Sequence, residues 1–112
     1  MKDKQEYIIN LGWVIACIRK NRGMSRVELA EKSNTTPAVI QQIELGNSSP
    51  SLQRLDVFAE VLGVEKYVFL YLSSSIRKSP PTDAEMNRSM YYFNATFIEH
   101  CKIVYGLTNI DF

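Results

Sequence analysis

Thr36-Pro37-Ala38-Val39-Ile40-Gln41-Gln42-Ile43-Glu44-Leu45-Gly46 is a short stretch with both ends marked and two unlike faces. Thr36 is a good helix N-cap, Pro37 suits the first helical position, and Gly46 tolerates the left-handed conformation that closes a helix. Between them, Ile40 and Ile43 stand three apart and predict a buried stripe, while Ala38, Gln41, Gln42 and Leu45 fall on the other side. Two neighbouring glutamines are ordinary on a solvated helix, so their weight depends on what precedes them.

What precedes them is Ser25-Arg26-Val27-Glu28-Leu29-Ala30-Glu31-Lys32-Ser33-Asn34-Thr35. Ser25 followed three residues later by Glu28 is a capping box, which predicts a helix from Arg26 that buries Val27, Leu29 and Ala30 in part. Asn34 then breaks it, because asparagine tolerates positive φ better than other non-glycine residues. Ala30 is small where two helices would cross most closely. Together these residues predict a helix, a tight turn and a second helix, the unit whose second helix can enter the major groove of DNA.

From about Leu11 to Leu72 the chain resembles the Cro/phage-repressor, or XRE-type, helix-turn-helix family. The resemblance rests on Ile18-Arg19 before Gly23-Met24-Ser25, on Glu28-Leu29-Ala30, and on Ile40, Ile43-Glu44 and Gly46. Pro50-Ser51, Leu55 and Leu62-Gly63-Val64 complete it. Many spaced positions agree, which makes the match far more specific than a lone motif. It implies an all-α, five-helix DNA-binding domain that binds operator DNA, usually as a dimer on a two-fold symmetric site. It also implies an ion pair between Arg19 and Glu44 that ties the first helix to the end of the reading helix.

Several positions depart from the family pattern. Arg26 stands where glutamine is common and would hold a DNA phosphate more strongly. Ser33 replaces a usual apolar or small residue, and Asn34 a common turn glycine. Pro37 and Ala38 occupy places from which some relatives contact bases through long polar side chains. Base reading is therefore expected from Gln41, Gln42 and the Thr36 hydroxyl, with Ala38 able to touch a thymine methyl. Backbone contacts are expected from Arg26, Arg22 and Lys32 and from the Asn47-Ser48-Ser49 loop.

A chain of 112 residues, 46% hydrophobic and 22% charged, suits a single globular core. The formal charge of +1 lends nucleic-acid binding no support from bulk basicity. Residues 1–72 hold nine Lys or Arg against eight Asp or Glu, again +1. An attractive field must come from placement, with Lys20, Arg22, Arg26 and Lys32 near the motif and Asp56, Glu60 and Glu65 on the far side. No run approaches the apolar length of a membrane span and the first residues do not lead into a cleavable signal peptide, so a cytoplasmic protein is expected. Cys17 and Cys101, with only His100 nearby, offer no metal-ligand spacing; reduced, partly buried thiols and no metal or cofactor are expected.

Along the rest of the chain the spacing predicts helices and no strand. The first, about Lys4 to Lys20, places Tyr7, Ile8, Leu11, Val14, Ile15 and Ile18 on one face, with Trp13 packing and Gly23 as the stop. Ser51 caps a fourth helix with Leu52, Leu55, Phe58, Ala59 and Leu62 inward and Gly63 at its end; a fifth runs from Glu65 to Leu72. The expected organisation is a DNA-binding domain over 1–72, a Ser- and Pro-rich linker over 73–81, and a helical dimerisation segment over 82–112. Thr82-Asp83-Ala84-Glu85 is a second capping box, opening a helix to about Tyr105 with Gly106 after it.

Along that helix Met86, Met90, Phe93, Phe97, Cys101 and Val104 recur at intervals of three and four. Such a surface is too apolar to stay in water. It either folds back on its own domain, pairs with a second copy, or does both; its aromatic and methionine content favours pairing, which would supply the dimer for a two-fold operator.

His100 suits an interface or surface, and Asn94-Ala95-Thr96 is a chance match to a glycosylation acceptor within a helical pattern. With no phosphate loop, paired carboxylates in a cleft or Ser/His/Asp set, an enzyme is not expected. The expected function is a sequence-specific DNA-binding regulator, a repressor acting as a homodimer. The alternative is an antitoxin-like module that captures a protein partner through its tail and autoregulates its operon.

Overall fold

The computed structural model describes residues 4–75 and 98–110 of the chain. Five helices run in order: α1 Lys4–Asn21, α2 Arg26–Lys32, α3 Pro37–Glu44, α4 Leu52–Leu62 and α5 Lys66–Ser75. Residues 98–104 are also helical, and no strand occurs among the described residues. The expected capping box at Thr82, and Met86, Met90, Phe93 and Phe97, lie outside the described residues.

Each helix contributes the stripe that its spacing predicts. Leu11, Val14, Ile15 and Ile18 of α1, Leu29 and Ala30 of α2, Ile40 and Ile43 of α3, and Leu55, Phe58, Ala59 and Leu62 of α4 meet in one core with Val68, Phe69 and Leu72 of α5. The left-handed glycines Gly23, Gly46 and Gly63 follow α1, α3 and α4, as expected from their places after the apolar runs.

Three apolar expectations are corrected. Val27 is 52% exposed and Leu52 72% exposed, each in the first turn of its helix, where no neighbouring element covers it. Trp13 is 42% exposed, because it sits off the 11–14–15–18 stripe. α5 also continues past the expected boundary at Leu72. Ser73 is fully buried; its Oγ donates to the Leu70 carbonyl at 3.0 Å and its carbonyl accepts from Asn10 Nδ2 at 3.4 Å. The helix is thus held against α1 through residues that their serine-rich composition assigns to a linker.

The larger correction concerns the end of the chain. Leu107 is fully buried within the same core, and Ile98, Tyr105 and Ile110 pack against it. Asn21 Nδ2, at the end of α1, donates to the Gly106 carbonyl at 3.3 Å and also to Asn109 Oδ1. The Tyr67 and Tyr105 hydroxyls lie 3.4 Å apart, and this contact, more than burial, pushes the Tyr105 phenol up to about 12. Gly106 takes φ +68° and ends the helical segment, as expected. Residues 98–110 therefore dock on their own domain, and Cys101, expected at a dimer interface, is covered by its own chain.

Burial pushes both the Cys17 and Cys101 thiols above their ordinary value, so both are protonated at neutral pH.

Because Leu107 fills core volume between helices of the first domain, Leu107→Ala is expected to lower stability by about 2–5 kcal/mol. Urea denaturation of the full chain measures this, and an unchanged midpoint would show that the tail adds nothing to the core.

Candidate nucleic-acid interface

The presentation of α3 begins with α2. Ser25 Oγ accepts from the Glu28 amide at 3.1 Å, and Glu28 Oε1 accepts from the Ser25 amide at 3.4 Å, which closes the capping box. At its other end Asn34 adopts φ +56°. The Asn34 amide then reaches the Glu31 carbonyl at 3.3 Å and the Thr35 amide the Ala30 carbonyl at 2.9 Å. These two bonds satisfy the last carbonyls of α2 and turn the chain sharply into α3. Ser33 is buried at this corner, and its Oγ has no hydrogen-bond partner among the described residues, so the site accepts it for its size.

Thr36 caps α3, its Oγ1 accepting from the Val39 amide at 3.3 Å, and Pro37 occupies the first turn. Ile40 and Ile43 point into the core, while Ala38, Gln41, Gln42 and Leu45 are exposed. The helix thus separates its faces as the sequence predicts.

Its back rests directly on α1. A Cβ on Gly12 would stand 2.1 Å from the Ile43 carbonyl oxygen and 3.0 Å from that of Glu44, so the two backbones approach as only glycine allows. Gly46 is pinned as well: it takes φ +80°, and a Cβ there would lie 2.9 Å from the Cα of Ile9. Gly12 carried a signal in the sequence, a glycine inside a long helical pattern, which often marks a close backbone contact.

An ion-pair network fixes the same end of α3. Arg19 Nε donates to Glu44 Oε2 at 2.7 Å, Arg19 NH2 donates to Oε1 at 3.0 Å, and Arg19 NH1 donates to the Met24 carbonyl at 2.8 Å. This two-point pair is the one implied by the family resemblance. Sequence reasoning missed the third member, because Arg26 Nε also donates to Glu44 Oε1, at 2.9 Å. The Glu44 side chain is 1% exposed and shared by two guanidinium groups, while that of Arg26 remains 40% exposed.

Among the other expected phosphate contacts, Lys32, Asn47, Ser48 and Ser49 are exposed around α2 and the loop after α3. Arg22 is not available in the same way. Its Nε donates to the Leu62 carbonyl at 2.8 Å and its NH1 to Asn21 Oδ1 at 2.9 Å, so it closes the end of α4. Asp56, Glu60 and Glu65, expected away from the motif, line one open groove with Ala59, Val64 and Lys66 where α4 meets α5, and Lys66 Nζ pairs with Asp56 at 3.0 Å. α3 packs instead on α1 and α2.

Residues 17–69 match the family model described as helix-turn-helix. The chain is similar to the immunity repressor protein of Bacillus phage phi105, 37% identical over 57 residues that cover 51% of this chain and 40% of that protein. It is similar to multiprotein-bridging factor 1 of Candida glabrata, 39% identical over 56 residues that cover 50% of this chain and 37% of that protein. The matches thus span well under half the length of these two relatives. Two crystal structures of the clp gene regulator ClgR from Corynebacterium glutamicum are also similar. One has a TM-score of 0.58 at 25% identity, covering 61% of this chain and 87% of that one. The other has a TM-score of 0.59 at 18% identity, covering 88% and 89%, a likeness of fold alone.

Since the Glu44 carboxylate is buried against Arg19, Glu44→Ala leaves that guanidinium without its anion and is expected to destabilise the fold by about 3–5 kcal/mol. Thermal or chemical denaturation checks it; a variant that melts as the unsubstituted protein does would make the network a surface feature.

Proposed function

We propose that this chain, whose residues 17–69 match the helix-turn-helix family model, is a sequence-specific DNA-binding transcriptional regulator that reads the major groove with α3. The observation that carries this is the exposed Ala38-Gln41-Gln42 face on a short helix whose other side is seated on Gly12 and locked by Arg19 and Glu44. A protein that distinguishes base edges needs long polar groups on a rigid element, because small displacements of a donor erase discrimination.

In this assignment Gln41 and Gln42 hydrogen-bond base edges, Ala38 lies against a thymine methyl, and the Thr36 hydroxyl donates nearby while its oxygen caps α3. Arg26 holds a phosphate through its terminal nitrogens, its Nε being engaged by Glu44. Lys32 and the backbone and side chains of Asn47, Ser48 and Ser49 hold phosphates on either side. Arg22 has no part in this set, because its guanidinium is committed to α4.

The regulator acts as a repressor and as a homodimer on a two-fold operator. Support for pairing comes from the tail: Ile103 and Val104 are 65% and 56% exposed on the segment whose other side, through Cys101, is buried on its own domain. Met86, Met90, Phe93 and Phe97 extend the proposed interface toward the start of that helix. On this reading residues 98–110 dock on their own domain with one side and offer the other, with Ile103 and Val104, to a second copy.

Gln42→Ala is expected to weaken specific binding by roughly 1–3 kcal/mol and relax preference at one base position per half-site, with nonspecific binding nearly unchanged. Titration of single-base operator variants reads this directly, and an unaltered preference profile would refute base reading by Gln42.

Phe97→Asp places a charge in the proposed dimer interface. Losing the link between two half-site contacts is expected to cost about two to four decades in operator affinity. Sedimentation and operator titration check it together: a variant that remains dimeric with full affinity would remove the tail from dimerisation.

A further inference from the structure

The loop residue after Gly46 does more than hold the end of α3. The Gly46 amide donates to the Ile43 carbonyl at 3.1 Å and the Asn47 amide to the Gln42 carbonyl at 3.0 Å. This pair of bonds, with Gly46 left-handed between them, is the closure that fixes the second residue past a helix over the helix's last turn. Gly46 itself lies close against Ile9, and this closure places the Asn47 backbone. From it the Asn47 side chain returns along the helix, and its Nδ2 donates to Gln42 Oε1 at 3.2 Å.

We propose that Asn47 is a specificity-determining residue, which by occupying Gln42 Oε1 aims the Gln42 amino group outward and makes Gln42 a reader of keto bases. The inference rests on the base-reading role of α3. A glutamine amide carries an acceptor oxygen and a donor nitrogen, and left free it presents either atom or both to a base edge. Tied through its oxygen, it presents the nitrogen, whose two N–H groups have no partner among the described residues. In the major groove guanine and thymine place a keto oxygen at the edge, whereas adenine and cytosine place an amino group there. An outward N–H donor bonds the keto oxygens O6 and O4 and meets another donor at the N6 and N4 amino groups; the N7 acceptor is common to both purines and does not separate them.

The same geometry separates this role from phosphate holding by Asn47. A phosphate contact changes affinity for all sequences alike, while a contact that sets the direction of an amide changes the ratio between bases.

The test measures binding of the full-length protein to operator duplexes carrying each base at the position that Gln42→Ala identifies. The unsubstituted protein is expected to prefer guanine or thymine there. Asn47→Ala, with melting behaviour unchanged, is expected to reduce the keto-over-amino ratio by about 2- to 10-fold, the range of one hydrogen bond. Asn47→Asp goes further: a carboxylate accepts only, so it turns the Gln42 nitrogen inward and the oxygen outward. Its preference is expected to invert toward adenine or cytosine, whatever its overall loss of affinity from a charge near phosphate.

A preference for adenine or cytosine in the unsubstituted protein, or an Asp variant with the original profile, overturns the role of Asn47 while leaving base reading by Gln42 intact. If Gln42→Ala itself changes no base preference, base reading by Gln42 fails and the role of Asn47 falls with it.

Discussion

A single buried carboxylate holds the helix-turn-helix unit together. Glu44 stands at the last helical position of α3 and receives three N–H bonds, two from Arg19 of α1 and one from Arg26 of α2. An unpaired charge at that depth would be prohibitively costly, so the position of each helix end is conditional on the others. The carboxylate also lies at the negative end of its own helix, an unfavourable place for an anion that two guanidinium groups offset. The group that fixes the end of α3 is therefore the same group that orients Arg26, the cation proposed to hold a phosphate.

This rigidity has a second, purely steric source. Gly12 lets α1 and α3 touch backbone to backbone, and Gly46 lets the chain leave α3 under Ile9. The result is a helix seated along its buried side and at its C-terminal end, with Gln41 and Gln42 on its exposed face and the Gln42 oxygen held by Asn47. Specificity in such an arrangement is decided at the level of side-chain amides. On the proposed base-reading role of α3, that is why a hydrogen bond from Asn47, small in energy, would weigh on base preference.

The parts of the fold legible in the sequence are those decided within one helical turn. Ser25 with Glu28, Thr36 with Pro37, Ser51, and the left-handed Asn34 all act on backbone groups a few residues away, and each is found as its residue type predicts. Arg19 and Glu44 were legible by resemblance alone, since nothing local ties residues so far apart. What was not legible depends on three-dimensional neighbours. Arg22 and Arg26 are equivalent by residue type and lie close in sequence, yet one closes α4 and the other stays with Glu44 at the surface. Leu52 continues the apolar spacing of its helix and stands exposed, because periodicity names a face without saying how far along the helix that face is covered.

The tail shows the same limit in a form that bears on function. An apolar helix that must be covered can be covered in cis or in trans, and the pattern Phe97, Cys101, Val104 is the same for both. In the structure Cys101 and Leu107 complete the chain's own core, while Ile103 and Val104 face outward. The inward side ends on Asn21, at the end of the helix that seats α3. If a second copy covers the outward side, pairing and the seating of the reading helix meet through one short segment. Dimer formation then stabilises the docked tail, the docked tail stabilises α1, and the affinity gained from two half-sites includes a contribution from the order that pairing imposes on each domain.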